Sequence, residues 1–167
     1  MTLESSQFGT MRASSRGTPE IVAIHLCPGP SSRSEMRSVA HATALEGFGL
    51  EGDRHARAGS HRQILFVEIE VLEALVLAPG VIREQVTVRG VRLEELSPGA
   101  RFRAGTALLE VEDLCEPCER MNEIRPGLLE VLGTRRGRFM RVVRGGAFAV
   151  GDALVADPAA SNAGRGE

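Results

Sequence analysis

The chain has 167 residues, of which 43% are hydrophobic and 25% are charged, and its formal net charge is −2. This balance predicts one soluble globular domain and gives no general signal for nucleic-acid or membrane binding. All basic residues are arginine, because lysine is absent, and so are tyrosine and tryptophan. Without a lysine amine the chain can form no internal aldimine with pyridoxal phosphate. Anionic ligands must therefore be held by arginine forks or backbone N–H groups.

The two ends of the chain differ in composition from its middle. Residues 1–19 are polar and rich in serine and glycine, and residues 157–167 are similar. We expect both to be disordered tails around one domain at residues 20–156. The chain has no apolar run near the ~20 residues of a spanning helix, and its start lacks the apolar stretch of a secretion signal. Three cysteines, an odd number, then suggest thiols in a reducing compartment, so we predict a cytoplasmic protein.

The middle of the chain shows mostly the periodicity of strands. Apolar or alternating runs predict strands at residues 21–26, 64–67, 86–88, 101–103, 107–111, 140–143, 148–150 and 153–155. An apolar stripe predicts a helix at residues 68–77, closed by Pro79-Gly80, and a second helix-like segment covers residues 124–132. Many short strands with two or three helices indicate a mainly β (α+β), compact β-barrel-like fold.

Cys118 is the clearest candidate for a functional residue. It ends the run Cys115-Glu-Pro-Cys118 between a predicted strand and a predicted helix. Pro117 restricts the residue before it and stiffens the turn. A thiol on such a turn can be a metal ligand, a nucleophile or a sulfur carrier. Positive charge nearby favours the thiolate, and Arg120 could supply it, whereas the two flanking glutamates oppose ionisation.

A second informative segment is rich in glycine. In residues 47–55, three glycines within six residues allow close backbone approach, and Asp53, Arg54 and His55 follow the last of them. The GxGxxG spacing lacks the strand–turn–helix context of a dinucleotide site. Taken alone, the segment is also typical of a surface loop in which Asp53 accepts backbone N–H bonds.

Together these segments resemble the MOSC domain, the domain type found at the C-terminus of molybdenum-cofactor sulfurases. The resemblance rests on segments that follow the family's order: residues 49–55, Arg62-Gln63, residues 82–86 with Gly90-Val91, residues 98–105, Cys115-Glu-Pro-Cys118 and Gly151-Asp152. It covers nearly the whole globular part. It implies a stand-alone, single-domain bacterial member with a β-rich, barrel-like fold.

The resemblance also implies a site for the molybdenum cofactor, molybdopterin. Cys118 takes the position of the thiolate that ligates molybdenum, and Cys115 is the lesser candidate. The family's Arg-x-Asn segment falls on Arg83 and Gln85, so Arg83 is expected to help hold the anionic end of the cofactor. Gln85 stands where an asparagine is common.

Three further residues are expected near the same cofactor. Arg62 and Arg54 match arginines close to the family's pocket. His55, in the matched Gly-rich segment, is expected to contact the cofactor as well.

The family resemblance leaves two functions open. The first is a molybdenum-dependent oxidoreductase that reduces N-hydroxylated small molecules. Its electrons would come from a separate reductase, because no flavin, haem or iron–sulfur motif is visible. The second is a sulfur carrier, in which a Cys118 persulfide delivers sulfur to a cofactor or metal–sulfur cluster. A separate cysteine desulfurase would supply that sulfur.

Two alternatives lie outside these functions. His25 and Cys27 are spaced to share one strand face and could form a structural zinc site with Cys115 and Cys118. A non-catalytic binding module is the other alternative, and Gln85 keeps it open.

Overall fold

Two β-sheets and three short helices carry the chain in the computed structural model, which describes residues 17–158. Most of the two predicted tails lies outside the described residues, so their disorder stays a prediction. In chain order the elements are β1 (Glu20–Leu26), β2 (Arg37–Val39), β3 (His41–Leu45), β4 (Gly49–Leu50), β5 (Ile64–Glu68), α1 (Ile69–Ala74), β6 (Val86–Arg89), β7 (Arg101–Ala104), β8 (Ala107–Leu114), α2 (Arg120–Ile124), α3 (Leu128–Leu132), β9 (Arg138–Arg144), β10 (Gly146–Ala149) and β11 (Leu154–Ala156). Short 3-10 turns cover Leu93–Glu95 and Gly133–Arg135.

The larger sheet has eight strands in the order β11-β7-β8-β9-β5-β6-β1-β2, and the smaller has three in the order β10-β3-β4. Neighbouring strands are antiparallel except β5 and β6, which are parallel. The expected mainly β fold with few helices is confirmed. The ladders do not close the larger sheet into a barrel, although one isolated bridge between Glu20 and Ala153 links the start of β1 to the start of β11.

The helix predictions needed two corrections. The helix predicted at residues 68–77 ends earlier, at Ala74. The one predicted at residues 124–132 begins later, as α3 at Leu128, and an unpredicted helix, α2, ends at Ile124 because Arg125 precedes Pro126 and takes an extended conformation. Strands β2, β3 and β4 were not predicted, since they are short and lack a run of apolar residues.

The core consists of two apolar clusters on opposite faces of the larger sheet. In β5, Ile64 and Phe66 belong to the first cluster, which lies between the sheets. Leu65 and Val67 belong to the second, together with buried residues of the three helices. A strand buried on both faces reads as a continuous apolar run, as β5 does. The helices therefore cover one face of the larger sheet, and the segment with Cys115 packs against that side.

Within residues 17–158, none of the helices has the length and apolar character needed to cross a membrane.

Candidate functional site

The two cysteines of the Cys-Glu-Pro-Cys run lie between the end of β8 and the start of α2. The backbone N–H of Cys115 donates to the carbonyl oxygen of Gly137 at 2.8 Å, and the carbonyl oxygen of Cys118 accepts from Met121 at 2.8 Å. Both cysteines and Cys27 are free thiols, but Cys118 is exposed whereas Cys115 is partly buried. Cys118 is therefore the more accessible thiol of the pair.

A pocket of about 310 Å³ opens beside this segment, lined by Arg33, Val81, Arg83, Arg120, Glu123 and Ile124. Three of its side chains, those of Arg120, Glu123 and Ile124, come from α2, and Arg33 comes from the loop between β1 and β2. The Arg33 guanidinium forms an ion pair with Glu123 at 3.2 Å. Arg120 donates from Nη2 to the carbonyl oxygen of Ser32 in the same loop. Three guanidinium groups thus surround one pocket.

The charges in this pocket influence one another. Partial burial, together with the positive charges of Arg83 and Arg33, lowers the pKa of the Arg120 guanidinium. The negative charge of Glu123 and the Cys118 thiol act in the opposite direction. Arg120 therefore lies among the charges of this pocket, and its effect on the Cys118 thiol stays a prediction.

Arg83 is held in the pocket wall by an unusual backbone conformation. Its φ of 69° lies in the left-handed region, and its N–H donates to the carbonyl oxygen of Gly80 at 3.0 Å. Its Nη2 donates to the Sγ of buried Cys27 at 3.4 Å. Arginine is uncommon at such a φ, and strained residues of this kind cluster at functional sites. Arg83 therefore connects the pocket to the buried thiol of Cys27.

Asp53 is the centre of the Gly-rich segment. Its carboxylate accepts from the backbone N–H of Cys27 at 3.0 Å, and from both the N–H and the ring Nδ1 of His55 at 2.7 Å. Burial alone would raise the pKa of Asp53, but these hydrogen bonds hold it below its usual value. The interpretation of Asp53 as an acceptor for backbone N–H groups is confirmed. Asp53 joins the Gly-rich segment to the end of β1.

Gln85 is buried and bonded at both ends of its amide. Its Oε1 accepts from the backbone N–H of Leu65 at 2.8 Å, and its Nε2 donates to Asp53 at 3.4 Å. His55 is likewise engaged with Asp53 through Nδ1. Gln85 and His55 thus hold Asp53 in place through hydrogen bonds. Their contact with a cofactor stays a prediction.

The other two arginines expected at the cofactor are not among the pocket-lining residues. Arg54 is exposed, and its backbone N–H donates to the carbonyl oxygen of Cys27 at 2.9 Å. Arg62 stacks over the ring of Phe139, with 5.5 Å from its Cζ to the ring centroid. Its charge acts on Cys115. Of the predicted arginines, Arg83 alone is among the residues that line this pocket.

Arg136 is a residue that sequence reasoning missed. It is 6% exposed, and its Nη2 donates to the carbonyl oxygen of Ile82 at 2.7 Å, behind the pocket wall. Its Nε and Nη1 have no partner within residues 17–158. Burial raises the pKa of the Cys115 thiol, and the charges of Arg136 and Arg62 partly offset that effect. No local pattern marks a buried arginine, so the sequence carried no signal for it.

The alternative of a four-ligand zinc site is not supported within residues 17–158. Among residues 17–158, no group of three or more histidine, cysteine or carboxylate side chains could hold a metal ion. Cys27 lies beyond the end of β1, and its Sγ is 3.6 Å from the carbonyl oxygen of Ser34. The side-chain alternation that would pair it with His25 therefore no longer applies.

Comparison with known proteins gave one family and several structures. The family model described as MOSC domain matches residues 53–155. The fold is similar to the YuaD protein from Bacillus subtilis, with a TM-score of 0.68, 20% identity, and coverage of 83% of this chain and 94% of that one. YiiM from Geobacillus stearothermophilus has a TM-score of 0.68 and 20% identity, covering 83% of this chain and 75% of that one.

YiiM from Escherichia coli has a TM-score of 0.61 and 19% identity, over 83% of this chain and 69% of that one. At these identities, the solved structures establish a shared fold. A search of the curated proteins found no match.

Proposed function

Because this chain belongs to the MOSC domain family, we propose that it binds the molybdenum cofactor through Cys118 and reduces N-hydroxylated small molecules. The observation that carries the proposal is the exposed Cys118 thiol just before α2, the helix that contributes Arg120 to a pocket lined by three arginines. Electrons would come from a separate reductase.

The donor set of the site fits this cofactor. A soft thiolate is a suitable protein ligand for thiophilic molybdenum. Described side chains offer no three-ligand group, so the protein's direct ligand would be this one thiolate. Arg83 would hold the cofactor's anionic end, as the resemblance implies. When bound, the cofactor would supply two-electron redox chemistry.

In this proposal, the chain's own residues bind the cofactor and orient it. The planar fork of an arginine matches two oxygens of a phosphate, and this chain has no lysine to take that role. At the rim of the pocket, Arg33 forms its ion pair with Glu123 of α2, and Arg120 of α2 donates to the carbonyl oxygen of Ser32. These contacts place charged groups at the rim, beside the apolar side chains of Val81 and Ile124 that also line the pocket.

A sulfur carrier is the second candidate, and the accessibility of Cys118 favours it. The Cys118 thiolate would attack the terminal sulfur of a persulfide on a cysteine desulfurase. The desulfurase cysteine would leave as a thiolate, and Cys118 would hold the persulfide. A sulfur acceptor would then take up that sulfur and regenerate the Cys118 thiolate.

The test begins with metal analysis of protein purified from a molybdenum-replete host. We expect molybdenum and a pterin in the wild-type protein, loss of both in Cys118→Ser with the fold intact, and a milder loss in Cys115→Ser. Circular dichroism checks the fold of both variants. Equal loss in the two variants would contradict the assignment of Cys118 as the ligand.

Turnover separates the two candidates. A reductase should convert an amidoxime with an artificial one-electron donor, and conversion should require molybdenum. A carrier should instead gain mass at Cys118 when incubated with a cysteine desulfurase and cysteine, and cyanide should remove that mass. A persulfide on metal-free protein, together with no molybdenum-dependent turnover on several N-hydroxylated substrates, would reverse the preference.

A further inference from the structure

The loop between β1 and β2, residues 27–36, reaches across to α2 at the arginine pocket. Arg33 in this loop donates to both carboxylate oxygens of Glu123, at 3.2 and 3.4 Å. Arg120 donates back to the carbonyl oxygen of Ser32. Two polar contacts therefore join the loop to α2, and both involve residues that line the pocket.

Positive charge exceeds negative charge in this pocket. Among its described lining residues, Arg33, Arg83 and Arg120 face a single carboxylate, that of Glu123. Like charges that line one pocket repel one another. An anion entering the pocket would relieve this repulsion, and two oxygens on one centre would match the arginine forks.

The ion pair between Arg33 and Glu123 is weak enough to be replaced. The two side chains are 74% and 54% exposed, and ion pairs between exposed side chains contribute little to stability. An anion with two acceptor oxygens can therefore displace Glu123 from Arg33. A pocket of about 310 Å³ has room for such a group, since one water molecule occupies about 30 Å³.

We propose that Arg33 and Arg120 bind an anionic group of the substrate, a phosphate or a carboxylate, next to Cys118, and that Glu123 competes with this group for Arg33. The inference rests on the proposed function for the chemistry at Cys118, and it names the class of substrate. Arg83 remains with the cofactor. The anion site itself needs no metal, so it can be measured separately.

The test is calorimetric binding of phenyl phosphate, benzoate and neutral benzyl alcohol to the full chain, both cofactor-free and molybdenum-loaded. We expect the two anions to bind both forms and the alcohol to bind neither. Arg33→Gln and Arg120→Gln should each lose at least about tenfold in affinity for the anions, the scale of a hydrogen bond to a charged group. Glu123→Gln should gain affinity, because it removes the competing carboxylate.

Arg89→Gln is the matched control. Arg89 also pairs with an exposed glutamate, Glu20, at 3.2 Å, but it lies on β6 outside the pocket lining. The gain in Glu123→Gln guards against misfolding, because an unfolded variant cannot bind more tightly.

Three results would overturn the proposal. They are equal affinities in the Arg33, Arg120 and Arg89 variants, weaker binding in Glu123→Gln, and binding to the cofactor-free protein alone. The last result would mean that the cofactor's own phosphate fills the pocket. If no molybdenum is found but the arginine dependence persists, the proposed function fails and the anion site stands.

Discussion

Arg83 combines a left-handed backbone, φ 69°, with a hydrogen bond to the buried Sγ of Cys27. Cys27 in turn donates its backbone N–H to Asp53. The position of the guanidinium is therefore set by the local backbone, by the end of β1 and by the Gly-rich segment at once. A side chain fixed from several directions is preorganised for binding, because little conformational entropy is lost when the ligand arrives.

Replacing Arg83 with lysine tests whether this guanidinium holds the cofactor. Lysine keeps the charge but loses the planar fork, so Arg83→Lys should weaken cofactor retention by roughly 1.5–3 kcal/mol, the range for a hydrogen bond to a charged group. The measurement is molybdenum content after extended dialysis. Arg89→Lys is the control, because Arg89, on β6 and outside the pocket lining, pairs with Glu20. Unchanged occupancy in Arg83→Ala would show that the assignment is wrong.

At the scale of elements, a residue just after α1 has a backbone conformation that is unfavourable for its side chain. The N–H of Leu77 donates to Leu72 at 2.8 Å and that of Val76 donates to Glu73 at 3.1 Å, the two bonds of a Schellman motif. Val76 thus occupies the position that usually holds glycine. It has φ 56° and is 87% exposed. A β-branched residue in this conformation is strained and buries little apolar surface in compensation.

Val76→Gly should therefore stabilise the protein by about 1 kcal/mol, the cost of the left-handed conformation for a residue with a Cβ. The free energy of unfolding in urea measures the effect. Val131→Gly is the control, because Val131 is 51% exposed within α3, where glycine should destabilise. A loss of stability in Val76→Gly would contradict the strain argument.

Glu68, at the junction of β5 and α1, carries a raised pKa. Burial raises the pKa of Glu68 to about 7, and the charges of Glu70 and Glu94 act in the same direction, although the backbone N–H of Leu93 opposes them. The folded state thus binds this proton more tightly than the unfolded state, where the pKa is about 4.5. The contribution of this carboxyl to stability is present below pH 4.5 and is lost as pH rises toward 7.

Glu68→Gln should make the free energy of unfolding depend less on pH. After allowance for solvent screening, we expect roughly 1–2 kcal/mol less pH dependence between pH 4.5 and 7 than in the wild type. Urea denaturation at a series of pH values measures it. Glu73→Gln, on the exposed side of α1, is the control. A profile that keeps the same slope in Glu68→Gln would contradict the prediction.

At the scale of the whole molecule, one contact between the two sheets joins the β7–β8 turn to β10. The N–H of Thr106 donates to the carbonyl oxygen of Ala147 at 3.0 Å, and the N–H of Ala147 donates to Thr106 Oγ1 at 2.9 Å. A Cβ at Gly146 would overlap the backbone of Thr106 and Ala107. The β7–β8 turn and β10 therefore approach closely because glycine has no side chain.

Gly146→Ala should destabilise the fold by roughly 1–3 kcal/mol, since backbone atoms cannot move aside as a flexible side chain can. Gly99→Ala is the comparison, because a Cβ there meets no atom within 4 Å and adds only the cost of its positive φ. Thermal unfolding of both variants measures the difference. Equal losses would mean that the contact between the sheets tolerates a methyl group.

Local periodicity predicted most of the strands and missed others for a physical reason. Strands β5 and β8 could be predicted from the sequence because most of their side chains are apolar and buried. β2 is an edge strand of three residues without a buried side chain, and its backbone pairing with β1 defines it. Pairing between distant segments leaves no trace in the composition of a short polar strand. The break between α2 and α3 could have been predicted, because Pro126 marks it.

By itself the sequence determined the thiol, the arginine-only anion contacts and the family resemblance, because these depend on residue identity and short spacing. The tertiary structure alone decided which arginines surround the pocket. Arg33 reaches Glu123 across 90 positions of sequence, while Arg62 lies over Phe139 next to Cys115. Side chains far apart in the chain meet through the order of the strands and the path of the loops, which residue spacing along the sequence does not encode.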